Sequence, residues 1–137
     1  MKYVWESEVR DNETDLQGIV NNANYFIYMA HARHKYLKSL GIDFNQMYLD
    51  GFKLMLIHTE IDFKDSLKSG DEFLVTSILQ PNGRIRFDFV QEVIRKNDAK
   101  VVTTAINTGV CISTRTGRPV IPELLQKELD SFGHPST

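Results

Sequence analysis

The chain has 137 residues, 42% of them hydrophobic and 25% charged, with a formal net charge of −2. That is the size of one globular domain able to bury a core, and no second domain is needed. The near-balanced charge argues against bulk nucleic-acid binding, and no apolar run approaches the ~20 residues needed to span a membrane. Residues 3–10 alternate Tyr3, Trp5, Ser7 and Val9 against Val4, Glu6, Glu8 and Arg10, the pattern of a half-buried first strand. Glu6 and Glu8 also break the apolar character that an export signal requires, so a cytoplasmic location is expected.

Next comes a polar, Gly-containing loop running directly into an amphipathic helix. Phe26, Met29, Ala30, Arg33, Leu37 and Leu40 recur at three- and four-residue steps and predict one packed helix face, interrupted only by Arg33. Asn21 and Asn22 suit capping of the helix start; Gly41 suits the left-handed residue that ends it, with Ile42 folding back towards Leu37. The helix is therefore expected from about residue 22 to about residue 40. Residues 43–51 read as a short helix or turn ending at Gly51.

Four strands follow. In the second strand, residues 53–63, Met55, Ile57, Thr59, Ile61 and Phe63 are expected on one face, with Leu54, Leu56, His58, Glu60 and Asp62 on the other. A turn at Lys68 to Asp71 leads to a third strand over 72–80, and Pro81-Asn82-Gly83 turns it into a fourth. There Ile85, Phe87, Phe89, Gln91 and Val93 alternate with Arg84, Arg86, Asp88, Val90 and Glu92. Asn97-Asp98 starts the turn into a fifth strand over 101–113, where Gly109 suggests a bulge. Pro122 suits the first position of a last helix over 123–131, and the tail from about residue 132 is expected to be loosely ordered. One early helix and an antiparallel sheet make an α+β chain in which the sheet buries an apolar face against the helix.

The chemistry centres on the loop. A helix start leaves N–H groups without partners and carries partial positive charge, so the backbone at Asn21, Asn22 and Ala23 is suited to hold a developing oxyanion. Asp15, a few residues earlier, is placed to act as general base or carboxylate nucleophile on a carbonyl held there. Gly18 has no side chain to keep a ligand from the backbone. The same residues also satisfy ordinary turn and cap chemistry.

The run Thr14-Asp15-x-x-Gly18-Ile19-Val20-Asn21-Asn22-Ala23-Asn24-Tyr25, with Ala32-Arg33 in the helix, resembles the signature of hotdog-fold acyl-CoA thioesterases of the 4-hydroxybenzoyl-CoA thioesterase-like family. The likeness continues through Phe63-x-x-Ser66-Leu67-x-x-Gly70-Asp71 and through Thr116-Gly117-Arg118-Pro119 to Ile121-Pro122. It implies a hotdog fold, a five-stranded antiparallel sheet wrapped around one long central helix, in a single domain over 1–137. It implies that Asp15 is the catalytic carboxylate and that the backbone N–H near Asn22 polarises the thioester carbonyl. Many relatives carry His or Tyr in place of Asn22, His in place of Ile19 and Glu in place of Ala30. The resemblance also implies a homodimer or homotetramer with active sites between subunits, an edge strand being a natural place for a two-fold partner to add.

Candidate substrate contacts are Gly18, Asn21 and Tyr25 beside the loop, with His58 and Thr59 on the second strand. Arg84 and Arg86, with Lys64, Lys68 and Arg118, are candidates for the phosphates of coenzyme A. His31 and His34 have a spacing that can hold a metal, but no HExxH motif or cysteine set completes one, and no metal or redox cofactor is expected. Cys111, the single cysteine, reads as a small buried hydrophobe. The expected function is hydrolysis of an acyl-CoA thioester. Alternatives are an acyl-carrier-protein thioesterase, a hotdog hydratase, for which the loop lacks a His, and a non-catalytic acyl-CoA-binding module, which would not need Asp15.

Overall fold

A computed structural model describes residues 2–132. Its strands are β1 (Lys2–Glu8), β2 (Phe52–Phe63), β3 (Glu72–Asn82), β4 (Arg86–Arg95) and β5 (Lys100–Ser113). They form one antiparallel sheet in the order β1-β3-β4-β5-β2. Against it lies α1 (Asn22–Ser39), with two short helices, α2 (Phe44–Leu49) and α3 (Glu123–Asp130), at its margins. The expected α+β class, the sheet and the long helix all match, and the expected boundaries fall within a few residues. Residues 133–137, part of the tail expected to be loosely ordered, lie outside the described residues. No helix among the described residues is long and apolar enough to cross a membrane.

Local chemistry sets the limits of α1. The Asn21 side chain accepts from Ala23 N at 2.9 Å at its start. At its end Gly41 adopts φ +84°, and Ile42 N returns to Leu37 O at 2.9 Å, closing the helix as a left-handed glycine allows. The buried stripe differs from the expected one. Tyr25, Tyr28, Met29, Ala32, Tyr36 and Leu37 face the sheet, whereas Phe26 is 41% exposed and Ala30 is exposed. Three tyrosines displace the helix rotation, because each ring buries a large apolar area with only one polar atom to satisfy. They meet Phe73, Val75 and Val93 at one end of the helix and Leu79, Phe87 and Phe89 at the other. Each such fully buried side chain contributes roughly 1.5–3 kcal/mol by area.

The faces of β2 also differ from a simple alternation. Leu56 pairs with Gly109 and His58 with Thr108, leaving Ile57 as an extra residue in the ladder. This bulge inverts the pleat, so Leu54, before it, and Thr59 and Ile61, after it, are all partly buried. The bulge is thus on β2, opposite the glycine that suggested it. A Cβ on Gly109 would stand 2.7 Å from Phe87 Cε2, so close packing as well as the bulge requires glycine there.

Candidate active site

The 14–20 loop is a closed turn. Thr14 bridges Val20, Asp15 N donates to Ile19 O at 2.8 Å, and Gly18 N donates to Asp15 O at 3.0 Å. Gly18 has φ +79°, which the turn requires, and open space where a Cβ would be. One carboxylate oxygen of Asp15, Oδ1, accepts from Gln17 N at 2.8 Å and more distantly from Ile19 N at 3.4 Å. Its Oδ2 has no partner among the described residues, and the side chain is exposed. Leu16, beside it, is fully exposed.

The loop is clamped from behind. Val20 N donates to Leu67 O at 2.8 Å, Ile19 bridges Lys68, and Leu67 N donates to the Tyr25 hydroxyl at 2.9 Å. The Ser66–Asp71 segment therefore ties the loop to α1 and, through Val9 N to Asp71 O at 2.9 Å, to the end of β1. At the helix start, Asn21 spends its own carbonyl oxygens locally: its side chain takes Ala23 N and its backbone takes Asn24 N at 2.9 Å. Of the three backbone N–H groups considered from sequence, that of Ala23 is thus occupied by a cap. The Asn22 N–H has no acceptor among the described residues, which leaves it available to a developing oxyanion.

Further along α1 lies a mainly apolar groove of about 350 Å3, walled by Ala30, Arg33 and His34 of the helix, Leu54 to Leu56 of β2, and Phe87 and Phe89 of β4. A buried polar network supports its helical wall. Arg33 Nη1 donates to Gln91 Oε1 at 3.0 Å, and Asn107 Nδ2 donates to the same oxygen at 2.8 Å. Gln91 Nε2 donates to Ser77 Oγ and to Met29 O, at 2.8 and 3.1 Å, and Thr59 Oγ1 donates to Asn107 Oδ1 at 2.9 Å. Burial pushes the Arg33 guanidinium down to about 10, still charged at neutral pH. Among the described residues no carboxylate pairs with it. Gln91 and Asn107 were not among the sequence candidates, although a glutamine on the apolar face of the fourth strand was their signal.

The other candidates separate. Tyr25 is 1% exposed, its hydroxyl taken by Leu67 N and its pKa raised by burial, so it anchors the loop. His58 is an exposed residue 3.4 Å from Glu60 Oε1 and does not line the groove, while Thr59 belongs to the polar network behind it. Arg84 lies in the β3–β4 turn and Arg86 begins β4, both exposed, next to the groove wall at Phe87. Lys64, Lys68 and Arg118 are also exposed or half-buried loop and strand-end residues. His31 packs on Trp5 with ring centroids 4.7 Å apart, and His34 on Phe44 at 4.7 Å, so each ring has its own aromatic neighbour. Cys111 is fully buried and burial pushes its thiol up to about 11. Within one chain, the Asp15 loop adjoins the start of α1 and the groove runs along its second half. Phe63 touches Tyr25 and Phe26, whereas Leu54 lies beside Leu37 in the groove. At ~1.5 Å per residue, Asn22 is about 12 Å along the helix from Ala30, where the groove begins, and about 22 Å from Leu37.

Known proteins place this arrangement. Residues 9–129 match the Thioesterase-like superfamily. A chloroplastic acyl-acyl carrier protein thioesterase of Arabidopsis thaliana is 30% identical over 129 residues, covering 94% of this chain and 67% of that protein. A 1,4-dihydroxy-2-naphthoyl-CoA hydrolase of Nostoc punctiforme is 27% identical over 129 residues, covering 92% of this chain and 86% of that protein. The crystal structure of a 1,4-dihydroxy-2-naphthoyl-CoA thioesterase from Synechocystis superposes with a TM-score of 0.90 at 24% identity, covering 98% of this chain and all of that one, and shares the hotdog fold. The chain belongs to the Thioesterase-like superfamily and, like its named relatives, is a thioester hydrolase.

Proposed function

We propose that this protein hydrolyses acyl-coenzyme A, with Asp15 supplying the carboxylate and Asn22 N–H the oxyanion donor. The observation that carries the reading is that these two groups flank one turn: Asp15 Oδ1 is held by backbone N–H groups, and among the described residues Oδ2 has no partner and Asn22 N–H has no acceptor. A general base there takes a proton from water as the water oxygen bonds to the thioester carbon. The carbonyl electrons move onto oxygen, which Asn22 N–H stabilises, and collapse breaks the C–S bond to leave a thiol and a carboxylic acid. As a nucleophile instead, Asp15 would expel the thiolate first and form a mixed anhydride that water then opens.

The separation of loop and groove supports a two-fold assembly. β2 is an edge strand carrying Met55, Leu56 and Ile57, each 41–49% exposed, and Phe26 and Ile27 on α1 are exposed as well. Antiparallel pairing of β2 with a second copy would bring the Phe63 end of one chain to the Leu54 end of the other. The Asp15 loop of each subunit would then serve its partner's groove, and the exposed Leu16 would be covered. Arg84 and Arg86, exposed and close in sequence to the groove residue Phe87, are the cations we assign to coenzyme A phosphates.

An acyl-acyl carrier protein is the second candidate substrate, favoured by the 30% identity to the Arabidopsis enzyme. Free-thiol release measured over acyl-CoA and acyl-carrier-protein panels tests both. Asp15→Asn keeps size and most hydrogen bonding but cannot accept the proton, so kcat should fall by at least ~10²-fold with folding intact. Near wild-type turnover by that variant would reduce Asp15 to a turn residue. Tight acyl-CoA binding by wild type with no thiol release would make the protein a binding module.

A further inference from the structure

Arg33 is the feature of the groove that thioester hydrolysis leaves unexplained. It stands on the groove face of α1 with Ala30, His34 and Leu37, and turns its guanidinium to Gln91. Gln91 is completely buried and fixed by four hydrogen bonds, to Arg33, Asn107, Ser77 and Met29, so the cation rests on a rigid base. Among the described residues Arg33 makes one donor contact. No acceptor among the described residues meets Nε or Nη2, and Ala30, one helical turn away on the same wall, offers neither charge nor hydrogen bond.

Arg33 is half-buried, and a partly desolvated guanidinium without a counter-charge carries a cost that an anion entering beside it offsets. The planar fork suits a carboxylate, whose two oxygens take two parallel N–H donors and whose full negative charge compensates the cation. A plain alkyl or phenyl end would instead lay hydrocarbon against a charge and leave its donors unmet. The remaining walls, Leu54, Leu56, Phe87 and Phe89, suit the methylenes or ring between thioester and anion.

We infer that Arg33 is a specificity-determining residue that selects acyl groups ending in a carboxylate, the half-thioesters of dicarboxylic acids. This rests on the thioesterase reading above and adds its substrate class. The charge pair forms with the acyl end and not with the thioester, so it acts through binding and orientation of that end.

The test compares matched pairs of coenzyme A thioesters differing only at the far end: glutaryl with pentanoyl, adipoyl with hexanoyl, suberoyl with octanoyl. Wild type should show at least tenfold higher kcat/KM for the carboxylated member of its best pair. In Arg33→Met, of similar length and uncharged, that ratio should fall to one or below, and Arg33→Lys should recover part of it. A melting curve confirms that each variant is folded. The proposal is overturned if wild type prefers the neutral member of every pair, or if Arg33→Met lowers both members equally. It is also overturned if Arg33→Met leaves the ratio unchanged but splits an oligomer, which would mean that a second copy supplies the anion. Calorimetric binding of hexanoate against 1-hexanol reads the terminal anion without turnover: hexanoate should bind more tightly and lose that advantage in Arg33→Met, and equal binding of the two by wild type overturns the proposal. If no thioester is cleaved, the hydrolase reading alone fails, and the titration still decides whether a terminal anion is bound through Arg33.

Discussion

Tyr25→Phe removes a single oxygen and tests whether the loop is held from within the fold. The hydroxyl accepts from Leu67 N at 2.9 Å, in a place where Tyr25 is 1% exposed and Leu67 fully buried. No water can reach the N–H that the substitution strands, so the loss is that of a buried donor without a partner, about 1–3 kcal/mol. With unfolding entropy of roughly 2.1 cal/mol/K per residue, a chain of 137 residues loses about 3.5 °C of Tm for each kcal/mol. A drop of roughly 3–10 °C is therefore expected, with an unchanged urea m-value. Because Leu67 O also receives Val20 N, the loop bearing Asp15 should loosen and kcat should fall, with KM nearly constant. Differential scanning calorimetry and thiol-release kinetics on the same preparation read both. A stability change below about 0.5 kcal/mol, accompanied by a raised KM, would refute the anchor and return the hydroxyl to substrate contact.

Asp65 is held well below the usual carboxylate range by the Lys100 ammonium, Ser66 N–H and the Arg95 guanidinium. A depressed folded pKa stabilises the protein above the unfolded value of ~3.9 and ceases to do so as pH falls through the folded value. The Tm gap between wild type and Asp65→Asn should thus be full near pH 6 and close progressively below about pH 4, as thermal melts across pH will show. The double variant Arg84→Ala, Arg86→Ala should raise KM for acyl-CoA with little change in kcat, and steady-state kinetics showing an unchanged KM would make both residues ordinary surface charge. Leu56→Glu places charge on the free β2 edge and should shift sedimentation towards a smaller species at micromolar concentration.

What the sequence made legible was whatever obeys a local rule. The limits of α1 follow from Asn21 and Gly41, and the inward face of β4 follows from the spacing of Phe87, Phe89, Gln91 and Val93. Asp15 and Asn22 were visible because turn and helix start adjoin in sequence. The helix rotation was missed because tyrosine counts as polar in a simple alternation, yet Tyr25, Tyr28 and Tyr36 bury their rings. The faces of β2 were missed because a bulged residue, Ile57, shifts the period midway and leaves no mark in β2 itself. The groove and its polar base were out of reach for another reason: Arg33, Gln91 and Asn107 lie 58 and 16 residues apart in sequence, and only the fold brings them together.

The bulge at Ile57 bears on how the free edge behaves at high concentration. A straight edge strand offers a uniform row of donors and acceptors that any extended chain can extend, and repetition of that step builds fibrils. Here the row is interrupted, with Leu56 and His58 pairing to successive residues of β5 and Ile57 pushed out of the ladder. The local twist this imposes breaks the edge into two short segments of opposite pleat. An incoming strand must carry a matching break at the same point, which another copy in two-fold register does and an arbitrary unfolded segment does not. Deleting Ile57 would restore an even edge, and the variant should form thioflavin-positive aggregates at concentrations where the natural chain stays clear.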